Sequence, residues 1–309
     1  MNPFDESPPP QEPDNNSEGQ SQQQELFPTP VLSSEVAPGS PTEQGAPSLP
    51  LSPAYPEDLR ITWSWVHLAL FVVFGFVSLL TVQGVMLMRY APHQHLNATD
   101  LEKYMLSKPQ IAIGSMLIWY AALFFFLYVT LSILRGHAFW ECLGWRKIKT
   151  RADGARRNPL VFFISGCGLS LLVAIVSSQM KTPDNMPMEE LFKYRQTALL
   201  FMAMAVLVAP LVEETLFRGY LYPLFARSFG IAPGILLTGV LFGLMHGAQL
   251  GWTWGLVSVM ILVGTVFTIV RARTGSVFAS YLMHLGYNSL ISFFAILGTH
   301  GFTKLPVDH

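Results

Sequence analysis

The chain has 309 residues, a formal net charge of −1 and a mean hydropathy of +0.38, and only 13% of its residues are charged. Soluble proteins average about 25% charged residues, so the composition excludes an ordinary soluble domain and points to a polytopic membrane protein. The near-zero net charge and the lack of a clustered basic–aromatic surface argue against nucleic-acid binding.

Residues 1–56 are rich in Pro, Ser, Gln and Glu and hold few β-branched or aromatic runs. Such a segment buries too little apolar surface to offset its ordering entropy, so a disordered tail is expected. It has no basic start followed by an apolar core and does not read as a signal peptide. It is expected to be passive, with partner recruitment as the other reading.

Seven apolar stretches follow, near 63–88, 111–134, 159–179, 197–217, 231–249, 252–270 and 276–298. A bilayer span needs about 20 residues. The predicted fold is therefore all-α: about 7–8 transmembrane helices around an intramembrane polar cavity. Residues 57–136 form the N-terminal membrane helices and 137–300 the membrane core. The amphipathic stretch 137–150 is expected to lie on the membrane surface, or to hide an eighth element.

Arg135, Arg146, Lys147, Lys149, Arg151, Arg156 and Arg157 crowd the loop 135–157. The positive-inside rule puts that loop in the cytoplasm. Alternation then places Arg218 and Arg227, and later Arg271 and Arg273, on the same side, together with the N-terminal tail. The expected location is the cell (inner) membrane of a prokaryote. Asn97-Ala-Thr99 matches a glycosylation sequon and reads as a chance tripeptide. Cys142 and Cys167 read as unpaired structural thiols.

From Thr197 to Thr299 the only Asp, Glu, Lys, Arg or His residues are Glu213, Glu214, Arg218, Arg227, His246, Arg271, Arg273 and His284. Arg227, Arg271 and Arg273 fit loop positions. The other five need a shared interior, because a charge at the bilayer centre costs at least about 2.5–3.5 kcal/mol. Glu214 and Arg218 are four apart and share a helix face, whereas Glu213 is rotated by about 100° and can point elsewhere. Phe242 and His246 are four apart, as are His284 and Asn288. Glu213 lies 17 residues before Gly230 and His246 lies 16 after it. An antiparallel hairpin turning at Gly230 brings both to the same depth, roughly 25 Å from the turn. Pro210 and Pro223 are expected to kink the first arm. Gly239, Gly243 and Gly247 form a seam of small residues for close helix packing beside His246.

A glutamate with a histidine can hold and deprotonate a water. A second histidine and an asparagine amide can donate to a developing oxyanion. Arg218 can fix Glu214 and keep it ionised. This set suffices for amide hydrolysis inside a membrane. Glu and His also ligate zinc, so Glu213, His246 and His284 stay candidates for a metal site. No H-E-x-x-H or G-x-S-x-G motif is present.

The ordered set Glu213-Glu214-x-x-x-Arg218, Phe242-x-x-x-His246 and His284-x-x-x-Asn288 resembles the three motifs of the type II CAAX prenyl endopeptidase and bacteriocin-processing (CPBP, or Abi) family of intramembrane proteases. The resemblance covers about 137–298, most specifically 205–292. It implies Glu213 as general base and His246 as its partner on the water. It implies His284 and Asn288 as oxyanion donors, Glu214 and Arg218 as support with Glu214 sharing in catalysis, and Phe242 lining the cavity. The implied enzyme is a glutamate or metallo-endopeptidase, with zinc left open and no cofactor needed for a glutamate-activated water. Its implied partners are the bilayer and a membrane-embedded peptide or protein, lipid-modified where the substrate is of CAAX type. The competing readings are a non-enzymatic scaffold or immunity protein of the same fold and a proton-coupled transporter.

Overall fold

The computed structural model describes residues 59–90, 108–148, 158–180 and 194–302, with Asn97, Asp100, Leu101, Tyr104 and Phe192 as isolated positions. All lie in one compact unit, 53–309. The tail 1–56 and the basic residues 149–157 of the third loop lie outside the described residues.

Every described regular element is helical. The helices are α1 (Trp65–Tyr90), α2 (Pro109–Leu127, continued by a π-helical segment Tyr128–Ile133), α3 (Phe139–Cys142), α4 (Pro159–Ser177), α5 (Arg195–Leu207), α6 (Ala209–Glu213), α7 (Tyr222–Phe229), α8 (Ile231–Met245), α9 (Trp254–Thr274) and α10 (Val277–Gly298). A second π-helical segment, Glu214–Leu221, joins α6 to α7. Six helical stretches are long and apolar enough to cross a bilayer: 65–90, 113–133, 159–177, 195–229, 254–274 and 277–298. The chain is a polytopic helical membrane protein. On α1, Val66, Leu70, Val73 and Phe76 stand exposed, as side chains facing lipid should.

Local signals set the helix ends. Asn158 caps α4, its side-chain oxygen accepting from Leu160 N at 3.0 Å ahead of Pro159. Gly275, in the left-handed region at φ +67°, ends α9. Gly230, at φ +95°, is the single residue between α7 and α8.

Three sequence expectations are corrected. The fourth stretch, expected at 197–217, runs from Arg195 to Phe229. At 1.5 Å per residue it is roughly 50 Å long and exceeds the bilayer's hydrocarbon core. The fifth, expected at 231–249, ends at Met245 and is too short to span. Residues 246–252 turn instead. The third correction concerns 137–150, expected on the membrane surface. Its helix is only Phe139–Cys142, ended by Gly144 at φ +80°. The stretch packs into the protein: Leu143 is fully buried, Trp145 Nε1 donates to Thr215 Oγ1 at 3.0 Å, and Val277 N donates to Gly144 O at 2.9 Å. Part of its apolar face thus meets helices of the protein, while Trp140 stays exposed.

Close backbone approach organises the core. A Cβ on Gly166 would stand 1.9 Å from Met283 O, and one on Gly286 would stand 2.1 Å from Phe163 O. These two glycines let α4 and α10 touch. On α8, a Cβ at Gly239 would meet Thr265 Oγ1 at 2.1 Å, and one at Gly243 would meet Ile261 at 2.3 Å. Gly239 and Gly243 thus seat α8 on α9. Gly247 lies past the helix end, against the Trp252 ring, so the expected seam is two glycines long. Both cysteines are free thiols.

Candidate active site

The charged residues of the fourth stretch sit where the helix is least regular. α5 stops at Val208, α6 starts with Pro210 near its first position, and the π-helical segment follows until Tyr222, just before Pro223. Proline lacks an N–H and clashes with the preceding turn, so two prolines disrupt the ordinary ladder. An i→i+5 register is a known way to absorb such a mismatch, and it occurs often at functional sites. The kink expected at Pro210 and Pro223 is therefore a change of helical register between them.

Glu214 and Arg218, on that segment, are both 0% exposed. Arg218 Nη1 donates to Glu214 Oε1 at 2.9 Å, Nη2 to Gly264 O at 2.8 Å and Nε to Thr268 Oγ1 at 3.3 Å. Its guanidinium also lies 4.4 Å from the Phe242 ring centroid and 5.3 Å from that of Phe267. Each such desolvated contact is worth up to about 2 kcal/mol. These partners offset a desolvation cost of several kcal/mol per buried ion.

Glu214 Oε1 also meets His284 Nδ1 at 2.9 Å. The paired carboxylate accepts, so Nδ1 carries a hydrogen. That leaves His284 Nε2 facing Glu213 Oε2 at 3.7 Å, longer than a hydrogen bond. The His284 ring stacks on Phe267 with centroids 4.7 Å apart. Glu214 Oε2 is buried without a hydrogen-bond partner among the described residues. The Ser280 hydroxyl lies beside that carboxylate and donates to Val277 O at 3.0 Å.

His246 caps the C-terminal end of α8. Its Nδ1 is 2.8 Å from Phe242 O. A carbonyl only accepts, so Nδ1 is the donor and the neutral ring keeps its lone pair on Nε2. Asn288 Nδ2 donates to Ala205 O at 2.7 Å, which ties α10 to the last full turn of α5.

Glu213, Phe242, His246, His284 and Asn288 all line one cavity of ≈ 350 Å³. The adjacent glutamates divide as their 100° rotation predicts: Glu213 borders the cavity and is 21% exposed, whereas Glu214 is fully buried in the ion chain. The irregular turn after α8 contributes His246, Gln249 and Leu250 to this cavity; lining a cavity is the setting in which non-helical backbone is tolerated in a bilayer.

The sequence missed two contributions. Met116 and Tyr120, from α2, also line the cavity. Both sit in a uniformly apolar span, where no periodicity marks an inward face. Arg271 was expected in a loop. α9 runs one turn further than expected, so Arg271 is 0% exposed, 5.7 Å from the Tyr222 ring centroid. Arg227 keeps a terminal position and donates to Ile61 O at 3.0 Å.

Glu213, His246 and His284 were candidate zinc ligands. Among the described residues no three His, Cys, Asp or Glu side chains converge as a metal-ligand group. His246 and His284 have each committed Nδ1, so only their Nε2 atoms could ligate. The arrangement does not fit a closed zinc site.

Residues 195–290 match the family model described as Type II CAAX prenyl endopeptidase Rce1-like. The matched span contains all three motifs. Comparison with curated proteins and with solved structures gives no match.

Proposed function

We propose, from the premise that residues 195–290 are of the CPBP family of intramembrane proteases, that the protein is an intramembrane endopeptidase using a glutamate-activated water. The observation that carries this reading is the shared cavity, which holds Glu213, His246, His284 and Asn288 while Glu214 and Arg218 lie sealed behind it.

In this reading Glu213 removes one proton from water, while the water's other O–H stays intact and donates a hydrogen bond to His246 Nε2. The hydroxide adds to the scissile carbonyl carbon. Asn288, with one N–H on Ala205 O, offers its second N–H to the resulting oxyanion. His284 can donate from Nε2 only when its ring carries both protons. Glu213 then passes its proton to the leaving nitrogen as the C–N bond breaks. Glu214 and Arg218 hold His284 in place and do not meet the substrate.

The substrate is a peptide or protein that reaches the site within the bilayer. The test compares newly formed peptide termini in membranes containing wild-type protein and Glu213→Gln. Termini that need the wild-type protein identify the substrate. Identical terminus profiles would remove the peptidase reading and leave a scaffold or transporter.

A further inference from the structure

We infer that Tyr120 is a further catalytic residue, whose phenolic O–H hydrogen-bonds the scissile carbonyl oxygen as it becomes an oxyanion. This inference rests on the peptidase reading above.

An oxyanion needs hydrogen-bond donors aimed at the place where negative charge develops. Most donors around this cavity are already committed. Arg218 directs its N–H groups at Glu214, Gly264 and Thr268 and is fully buried. His246 spends its Nδ1–H on Phe242 O, and His284 spends its own on Glu214. In the neutral rings both Nε2 atoms carry lone pairs and repel an oxyanion. Asn288 has one N–H left. A single donor is a poor oxyanion site.

The remaining neutral side-chain donors lining the cavity are Tyr120, Gln249, Tyr287 and Ser292. Ser292 lies eight residues beyond His284 on α10, about 12 Å along the helix axis and farther than Asn288 from the His284–Glu213 contact. Gln249 lies in the exposed turn after α8, and its long amide side chain is not held there. Tyr287 is 5% exposed and is packed at the α4–α10 crossing, where its backbone N would stand 2.9 Å from a Cβ on Gly166. Tyr120 differs from these three. Its ring packs beside Trp119 on the regular helix α2, and the Trp119 indole is anchored by donating to Gly75 O at 2.9 Å. Tyr120 is also within electrostatic range of Glu213. Among the described residues its hydroxyl has no hydrogen-bond partner, and its side chain lines the cavity. An uncommitted phenol mounted on a regular helix and lining the same cavity as the proposed base is the donor that the site otherwise lacks. It comes from outside the matched span 195–290, so α2 would complete the site rather than only enclose it.

The test uses full-length protein in lipid nanodiscs and quenched peptides spanning the cleavage sites mapped by terminus analysis. Tyr120→Phe removes one oxygen and keeps the ring. It is expected to lower kcat by about 100-fold, the effect of deleting one oxyanion donor, with KM changed less than about threefold and an unchanged thermal midpoint. Tyr287→Phe is expected to stay within about threefold of wild type. Wild-type kcat in Tyr120→Phe, with Glu213→Gln inactive, overturns this inference and leaves the peptidase reading standing. A loss in KM alone also overturns it, because the hydroxyl would then serve binding only. Cleavage that is equal in wild type and Glu213→Gln overturns both.

Discussion

His284 Nδ1 and Glu214 Oε1 meet at 2.9 Å across 70 positions of sequence. The contact joins α10 to the π-helical segment, and Arg218 extends it to the α9 backbone through Gly264 O. Three helices are thus pinned by one buried ion chain. It also decides which nitrogen of His284 faces Glu213, so a buried ion pair orients a ring that lines the neighbouring cavity.

Breaking that chain on one side should be severe. Glu214→Ala leaves Arg218 buried and uncompensated, and losing one partner of a buried pair costs about 3–5 kcal/mol. Arg218→Lys keeps the charge but not the planar fork that serves Glu214, Gly264 and Thr268 together, so it should rescue only part of the loss. Thermal midpoints of the purified variants in one detergent check the order: wild type, then Arg218→Lys, then Glu214→Ala. A midpoint for Glu214→Ala within a degree or two of wild type would contradict the bracing role.

The α4–α10 crossing gives a matched pair of tests. Gly166→Ala puts a methyl 1.9 Å from Met283 O and must push α10 away, whereas Gly168 has open space around its Cβ position. Gly166→Ala should lower the yield of folded protein several-fold and, by shifting the helix that carries His284 and Asn288, lower activity in what remains. Gly168→Ala should be neutral or slightly stabilising, by up to about 1 kcal/mol. Equal yields would argue that the two helices do not touch at Gly166.

Much of this site was legible in sequence because charges in apolar helices are costly and therefore few. The spacing of Glu214 and Arg218 gave their pair, and the count from Gly230 brought Glu213 and His246 to one depth. Other features left no comparable mark. Tyr120 sits in a span so uniformly apolar that no face is distinguished. Pro210 and Pro223 announce a disturbance, but not that the helix widens between them. Arg271 obeys the positive-inside rule only if α9 ends early, and helix ends are the least certain part of a hydropathy reading. The stretch 137–150 shows an apolar face without showing whether protein or lipid covers it.

His67 forms a buried helix–helix contact. Its Nδ1 is 2.7 Å from Tyr220 Oη and its Nε2 is 2.9 Å from Thr130 Oγ1. Thr130 donates its own hydrogen to Phe126 O at 2.8 Å, so it accepts from Nε2, and the tyrosine hydroxyl donates to Nδ1. Thr130 and Tyr220 each lie in a π-helical segment, and His67 links the two. Tyr220→Phe should cost about 1–3 kcal/mol, the penalty of an unsatisfied buried acceptor. Adding His67→Phe should cost less than the sum of the single changes, because the same contact is lost twice. Denaturation midpoints of the four proteins provide the cycle, and strict additivity would argue against the link.

Cys142 reports on the packing of the 137–148 stretch. Burial pushes its thiol up from the usual range, opposed in part by its backbone hydrogen bonds and by Arg146. A raised value means less thiolate at a given pH, so alkylation should lag behind that of an exposed thiol at pH 8 and keep increasing above pH 9. Gly144→Ala, which places a methyl 2.9 Å from Arg271 Nη2 in a left-handed backbone, should loosen the stretch and speed labelling. A pH profile for Cys142 that coincides with a free thiol's would place the stretch on the surface after all.

Asn288 should lose two things at once when it is changed. One amide N–H holds Ala205 O at 2.7 Å, next to the end of α5 at Val208, and the other is the proposed oxyanion donor. Asn288→Ala removes both. It should cost about 1 kcal/mol of stability from the lost hydrogen bond and about 100-fold in kcat from the lost donor. Asn288→Asp nearly conserves shape but cannot donate when ionised, and it places a second carboxylate in the cavity with Glu213. It should therefore be at least as inactive as the alanine variant, and less stable. Tyr120→Phe should separate from both by losing kcat while keeping its thermal midpoint. If Asn288→Asp retains more activity than Asn288→Ala, the amide acts through shape and not by donation, and its place in the oxyanion site fails.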